Sequence, residues 1–262
     1  MSNNPYAAPR THVEDARTSL PDGDFIPEGR GVPAGGGWQW IADAWTFTSD
    51  QRWMFVGVFV LFVLVQIVGQ LVPLIGCLAA SLFSPVLLGG FLIGCDAVRR
   101  GESLEVGHLF AGFQRHTGKL VGLGALSLAF GILAAIVMIV IVGTAFLPIM
   151  LGGPEPAPED VVSMIVPMLL AILVIMALSI PLSMAMLFAA PLIVFNDAPL
   201  GAALKASFGA CLKNILPFLV WSLAIFILAI LAAIPLFLGW LLLGPVMMVS
   251  LYLAYRDIFH EV

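Results

Sequence analysis

The chain has 262 residues, of which 61% are hydrophobic and 10% are charged, and its formal net charge is -5. About a quarter of the residues of a soluble domain are charged, so this composition excludes an ordinary soluble domain. The apolar stretches are continuous and lack the period-two alternation of a membrane β-barrel. We therefore expect a helical integral membrane protein with no nucleic-acid partner.

The N-terminal region differs in composition from the rest of the chain. Residues 1–37 are rich in proline and glycine and contain few apolar side chains. This composition predicts a disordered tail over 1–37, followed by a membrane domain over 38–262. The region has no apolar run of the kind that a cleavable signal peptide needs, so the first span is expected to act as an uncleaved insertion signal.

Four long blocks contain no Asp, Glu, Lys or Arg: residues 53–95, 120–154, 161–196 and 214–255. A helix crosses the hydrocarbon core with about 20 residues. The first and last blocks are twice that length and are interrupted near Pro73 and Pro235, which indicates two helical hairpins. The sequence thus predicts an all-α polytopic membrane bundle with six spans, at about 54–72, 77–96, 120–147, 163–190, 215–234 and 238–256.

Charge placement supports six spans. With that number, all eleven Lys and Arg residues lie on one side of the membrane, and the opposite loop near 152–160 carries only acids. Positive residues are retained on the cytoplasmic side. We therefore expect both termini and the loops 97–119 and 197–213 to be cytoplasmic.

Three segments on the predicted cytoplasmic side have an apolar stripe at helical spacing and are expected to be amphipathic interfacial helices: 38–50, 103–119 and 197–214. Their stripes consist of Trp38, Ile41, Trp45 and Thr48; of Val106, Leu109, Phe110 and Phe113; and of Leu200, Leu204, Phe208, Cys211 and Leu212. A membrane span follows each one. The chain is therefore either three diverged units of interfacial helix plus hairpin, or a chance recurrence of a common arrangement.

The sequence has no catalytic, nucleotide-binding or metal-binding motif, so we expect no enzyme activity, cofactor or metal. The three cysteines are interpreted as small apolar fillers. Polar side chains within the spans, among them Gln66, Gln70, Ser127 and Ser183, suit hydrogen bonds between helices, although a substrate path is the alternative. Gly90 and Gly94 form a GxxxG pattern that favours close packing inside the bundle.

Basic residues beside the interfacial helices are the candidate site residues. Each base near an anionic leaflet contributes about 1 kcal/mol to lipid attraction. We expect headgroup contact, with anionic phospholipid as a candidate partner, from Arg99, Arg100, Arg115, Lys119, Lys205 and Lys213. The alternative is that these bases only enforce topology.

Five stretches carry a family resemblance: NPYAAP (4–9), GGGWQWIADAW (35–45), GCDAVRRGESLEVGHLFAGF (94–113), ALKASFGACLKNILPF (203–218) and LGPVMMVSLYLAYRDIF (243–259). Together they resemble a family of bacterial six-span inner-membrane proteins. The resemblance implies that architecture and no particular activity. More distantly, the hairpin organisation is similar to the membrane domain of some glycerophosphodiester phosphodiesterases, whose soluble active site has no counterpart here.

These observations favour a non-enzymatic membrane protein that organises lipid or partner proteins. The alternative is a transporter or flippase of an apolar or lipid-like substrate, which needs no buried charge. A solvated cavity lined by Gln66, Gln70, Ser127 and Ser183 would favour transport, and a filled bundle would favour the structural role.

Overall fold

The structure is a computed structural model that describes residues 23–72, 75–151 and 158–261. Most of the expected tail (1–22), the tip of the first hairpin (73–74) and most of the acidic loop (152–157) lie outside the described residues. The helices are α1 (Gly36–Phe47), α2 (Arg52–Leu71), α3 (Ile75–Arg99), a 3₁₀ helix (Val106–Phe113), α4 (Thr117–Met150), α5 (Pro158–Leu187), α6 (Ala189–Asn196), α7 (Leu200–Lys213), α8 (Ile215–Ala233) and α9 (Trp240–Phe259).

The predicted all-α bundle is confirmed. Six helical stretches are long and apolar enough to cross a membrane: Arg52–Leu71, Ile75–Arg99, Thr117–Ile141, Ile165–Asn196, Ile215–Ala233 and Trp240–Phe259. They correspond to the six expected spans, with ends that differ by a few residues. The chain is thus a multi-pass membrane protein by the length and composition of its helices.

The loops that join the spans meet at one end of the molecule. Lys119, in the first turn of α4, contacts Asp197, after α6. The Gln51 side chain contacts the backbone of Glu102 and Leu104. The N-terminal segment pairs with the end of α9 at the same place. Both described ends of the chain therefore lie on one side, as an even number of crossings requires.

Residues 23–35, expected to belong to a disordered tail, are packed against the C-terminal end of α9. The Ile26 amide donates to the Phe259 carbonyl at 2.8 Å, and the Arg30 amide donates to Ile258 at 2.8 Å. Gly29 has a φ of 64°, the left-handed region that favours glycine, where the segment passes close to α7 and α9. The folded part of the chain therefore begins well before the expected boundary at residue 38.

Three short elements surround the bundle, and we call α1, the 3₁₀ helix and α7 the belt elements. The 3₁₀ helix packs against α3, α7 packs against α5, and α1 packs against α8 and α9. The 3₁₀ helix and α7 thus each contact the second span of the hairpin that precedes them in the chain. The first belt element, α1, contacts both helices of the last hairpin. This cyclic arrangement is the geometry that three related units would produce.

The segment 103–119 does not form the single amphipathic helix that was expected. It contains the 3₁₀ helix, followed by a turn at His116, where φ is 57°, before α4 begins. A β-carbon on Gly90 would overlap the Leu109 carbonyl oxygen, so the backbones of α3 and the 3₁₀ helix are in direct contact. Gly90 and Gly94 do provide close packing, but against this 3₁₀ helix rather than against another span.

The fourth span is interrupted at Phe188, between α5 and α6. Pro191 lies in the first turn of α6 and has no amide hydrogen to continue the ladder from α5. Ser207 of α7 bridges the interruption: its hydroxyl donates to Met184 O at 2.6 Å and accepts from the Phe188 amide at 3.0 Å. One side chain of a belt element thus replaces a helical hydrogen bond in the neighbouring span.

Candidate functional site

The inward faces of the belt elements contain several small side chains beside a few large ones such as Trp40 and Leu109. The buried faces include Gly37 and Ala44 of α1, Gly112 of the 3₁₀ helix, and Ala203 and Ala210 of α7. Small residues let the backbone of each belt element approach the span beside it.

The expected apolar stripes are consequently divided between the two faces. Ile41, Thr48, Leu109 and Cys211 are buried, whereas other stripe residues are exposed. The exposed ones are Trp38, Trp45, Val106, Phe110, Phe113 and Leu212. Large apolar groups on the outer surface of the belt suit contact with lipid acyl chains.

Four of the six candidate bases have protein partners. Arg99 has a side chain only 6% exposed and contacts Asp96 at 3.0 Å, and Arg100 contacts the same carboxylate at 2.8 Å. Lys119 donates to Asp197 at 2.5 Å. Lys213 donates to the carbonyl oxygens of Glu28 and Gly29 at 3.0 and 3.1 Å, respectively, and so fastens the N-terminal segment.

The other two candidate bases, Arg115 and Lys205, are exposed. Neither has a hydrogen-bond or ion-pair partner among the described residues. Arg115 follows the 3₁₀ helix by two residues, and Lys205 lies in the middle of α7. The structure does not bring the six bases into one cluster, and it leaves these two available for an external anion.

Asp96 is the centre of a buried polar network at the end of α3. It is 8% exposed and accepts hydrogen bonds from Arg99 and from the hydroxyl of Tyr252 in α9 at 2.9 Å. Ion pairs of this kind are costly to break, because removal of one partner leaves a buried charge uncompensated. Its bonds to α9 and to the end of α3 indicate a structural role. The sequence alone gave no sign that Tyr252 would contact this acid.

Asp197 anchors the turn between α6 and α7. The hydrogen bond from Lys119, with the positive charge that it brings, lowers the pKa of Asp197 below its ordinary value of 3.8. His116 Nδ1 is 2.9 Å from the same carboxylate oxygen. His116, just before α4, and Lys119, in its first turn, thus hold the turn that leads into α7.

A polar cavity of about 840 Å³ opens between α1, the start of α2 and the end of α3. Asp43, Asp50, Glu102 and Arg99 contribute charged groups to its wall. Because Arg99 is already paired with Asp96, the cavity wall has an excess of negative charge, which disfavours an anionic headgroup there.

An apolar groove of about 640 Å³ lies on the other side of α1, against α8 and α9. Its lining contains no charged side chain: Trp38, Ile41, Ala42, Trp45, Thr46, Leu228, Leu231, Ala232, Gly239, Leu242, Leu243 and Val246. The groove is within the size range of ligand sites in proteins. Sequence analysis did not predict it, because it depends on α1 packing against helices almost 200 residues further along the chain.

Three of the four polar residues proposed as an alternative substrate path have hydrogen-bond partners on the helices. Gln66 of α2 donates to Ser84 of α3 at 2.8 Å, and Ser127 of α4 contacts the sulfur of Met186 in α5 at 3.3 Å. Ser183 donates to the carbonyl of Ser179 in its own helix. These side chains act in helix contacts or bond back to their own helix, as the packing interpretation expected.

The cysteines occupy unrelated positions: Cys95 and Cys211 are buried, and Cys77 is exposed on an apolar helix. Burial raises the pKa of the Cys211 thiol to about 12, so this thiol is neutral at physiological pH. Within the described ranges, no group of three or more His, Cys, Asp or Glu residues is placed to hold a metal ion.

Comparison of the chain with family models, with curated proteins and with solved structures finds no match.

Proposed function

We propose that this chain is a non-enzymatic protein of the bacterial cytoplasmic membrane that gathers anionic phospholipid around its belt elements. The observation that most directly supports this proposal is that Arg115 and Lys205 are exposed and unpaired among the described residues, beside outward-facing apolar side chains. A base with no protein partner at the edge of an apolar belt can bind a headgroup phosphate without losing an existing bond.

The location and orientation belong to the same proposal. The end of the molecule that carries the paired loops holds all the described bases, and positive residues favour the cytoplasmic side. The resemblance of five sequence stretches to bacterial inner-membrane proteins supports the same location. The paired bases Arg99, Arg100, Lys119 and Lys213 then fix the fold and the topology, and the free pair provides lipid contact.

The test compares the purified wild type with the Arg115→Gln/Lys205→Gln variant in nanodiscs of mixed phosphatidylglycerol and phosphatidylethanolamine. Native mass spectrometry measures the share of phosphatidylglycerol among retained lipids. At about 1 kcal/mol per base, the preference for the anionic lipid should fall roughly fivefold for each base removed. The Arg115→Lys/Lys205→Arg variant keeps both charges and should match the wild type. Equal preference in all three proteins would leave these bases with a topological role only.

The groove against α8 and α9 favours a second candidate, transport of a lipid-like substrate between leaflets. A charge-free groove accepts acyl chains without a buried ionisable group. Reconstitution in liposomes with fluorescently labelled phospholipid separates the two candidates. Movement of labelled lipid between leaflets at a rate that scales with protein content would favour the transporter, whereas a rate equal to that of protein-free liposomes would favour the organising role.

A further inference from the structure

The guanidinium of Arg52, at the start of α2, has hydrogen-bonding capacity that the described protein does not use. It lies 4.1 Å above the ring centroid of Trp45 and makes one long bond, 3.4 Å, to the Trp45 carbonyl. Its Nε is enclosed and has no partner among the described residues. An arginine has five N–H donors in a rigid fork that matches a phosphate, so this side chain is prepared for an anion.

Arg52 is adjacent to the apolar groove. A small space of about 10 Å³ beside Arg52 shares Trp45, Leu242 and Val246 with the wall of the groove. Trp45 therefore lines the groove and also contacts the guanidinium of Arg52. A molecule that occupies the groove and passes the edge of this ring would meet the terminal N–H groups of the Arg52 guanidinium.

The chemistry of the two places identifies one kind of occupant. The groove is lined by apolar side chains without charge, which suits a hydrocarbon chain. Trp38 and Trp45 stand at its wall and are 54% and 46% exposed, and tryptophan favours the boundary between acyl chains and headgroups. The adjacent arginine supplies the complement to a phosphate.

We propose that the groove between α1, α8 and α9 holds an acyl chain of a glycerophospholipid whose phosphate binds Arg52. The inference rests on the proposed lipid-organising function and adds a defined site to it. Arg115 and Lys205 would select lipid by its net charge, whereas this site would bind any glycerophospholipid, because it recognises the phosphate and one chain.

The test uses nanodiscs that contain only phosphatidylethanolamine, in which no anionic lipid competes. Native mass spectrometry counts the phospholipids that the wild type retains after detergent extraction. Ala42→Phe fills the groove from α1, and Arg52→Gln removes the phosphate partner. Matched controls are Ala202→Phe, at an exposed position of α7 away from the groove, and Arg52→Lys, which keeps the charge.

The wild type, Ala202→Phe and Arg52→Lys should retain a tightly bound phosphatidylethanolamine. Ala42→Phe should lose it, and Arg52→Gln should bind it at least tenfold more weakly. Lipid brominated on its acyl chain should quench the fluorescence of Trp45 in the wild type and less in Arg52→Gln. If Ala42→Phe does not fold, the retention and quenching of Arg52→Gln decide the question.

Equal retention by the wild type and by Arg52→Gln would overturn the inference, as would an Ala42→Phe protein that keeps the lipid. The Arg115→Gln/Lys205→Gln variant should retain the groove lipid as the wild type does. Failure of the groove site therefore differs in its readout from failure of the proposed function, which is measured as selection between two headgroups.

Discussion

Asn214 is a fully buried side chain that joins the N-terminal segment to the rest of the protein. Its Oδ1 accepts from the Val32 amide at 2.7 Å, and its Nδ2 donates to the carbonyl oxygens of Arg30 and Ala210 at 2.9 Å. All three bonds are made to backbone groups. An apolar replacement removes the side-chain partner of the Val32 amide and of the Arg30 carbonyl, whereas the Ala210 carbonyl still accepts from the backbone amide of residue 214. One residue at the start of α8 therefore holds a segment that lies more than 180 positions earlier.

Replacement of Asn214 by Ala should lower the free energy of unfolding in detergent by about 3 kcal/mol, because it leaves partly buried backbone groups unsatisfied. It should also make Arg30 sensitive to trypsin in the otherwise folded protein. Thermal unfolding and timed proteolysis measure the two effects. Ser222→Ala is the control, since that exposed hydroxyl bonds only within its own helix. Unchanged proteolysis at Arg30 would contradict the anchoring role.

Asp197 gives the protein a predictable response to acid. Its folded pKa lies below 3.8, so its ionised form stabilises the fold above that pH, and this contribution is lost as the pH falls through the folded pKa. Asp197→Asn should lower the unfolding temperature at pH 7 and reduce its further fall between pH 5 and pH 3. Asp50→Asn, at an exposed carboxylate that bonds only Ser49 among the described residues, is the control. Parallel pH profiles of wild type and Asp197→Asn would contradict the assignment.

At the scale of elements, the contact between α3 and the 3₁₀ helix depends on the absence of a side chain at Gly90. A β-carbon there would overlap the Leu109 carbonyl oxygen. The backbone of the 3₁₀ helix could make room for it only by separating from α3. Gly90→Ala should therefore destabilise the protein by about 1–3 kcal/mol, as overpacking does in other cores. Gly107→Ala adds the same atom on the open side of the 3₁₀ helix and should be nearly neutral. Thermal unfolding in detergent compares the midpoints of the two variants. Equal midpoints would show that the contact between α3 and the 3₁₀ helix can adjust to the added atom.

The elements that could be predicted from the sequence are those set by local composition. Charge-free blocks longer than 20 residues identify spans regardless of their neighbours, so all six were found. The 3₁₀ helix was missed because its backbone follows the glycine surface of α3, which no pattern within 103–119 records. The packed segment 23–35 was missed because its partners lie at the other end of the chain.

The candidate site was predictable only in part, and for the same reason. The bases could be found by their charge, but their availability depends on distant acids and carbonyl groups. Lys119 is occupied by Asp197 and Lys213 by Glu28, whereas Arg115 has no partner in the described part of the chain. Arg52 was counted only as one of the eleven bases on one side of the membrane. Its contact with Trp45 and an Nε without a partner among the described residues could be seen only in the structure.

At the scale of the whole molecule, contact between the two ends of the chain constrains membrane topology. Phe25 pairs with His260, so both described ends must lie on one side of the membrane. A C-terminal alkaline phosphatase fusion should be inactive, and the same reporter inserted after Glu155 should be active in the periplasm. A C-terminal fluorescent protein is the complementary control, since it should fluoresce from the cytoplasm. Phosphatase activity at the C-terminus would contradict the orientation, and equal activity at both fusion points would contradict the number of spans.

The cyclic arrangement of the belt elements also sets an order of events during synthesis. Roughly 190 residues separate α1 from α9, its packing partner. At 5–20 residues per second, α1 leaves the ribosome about 10–40 s before α9 is made. During that interval its tryptophans and the neighbouring N-terminal segment have no protein surface to cover them, and the membrane interface is the medium that can receive them. The last hairpin therefore has two effects on the fold. It inserts its own two helices, and it provides the protein surface onto which α1 moves from the membrane interface.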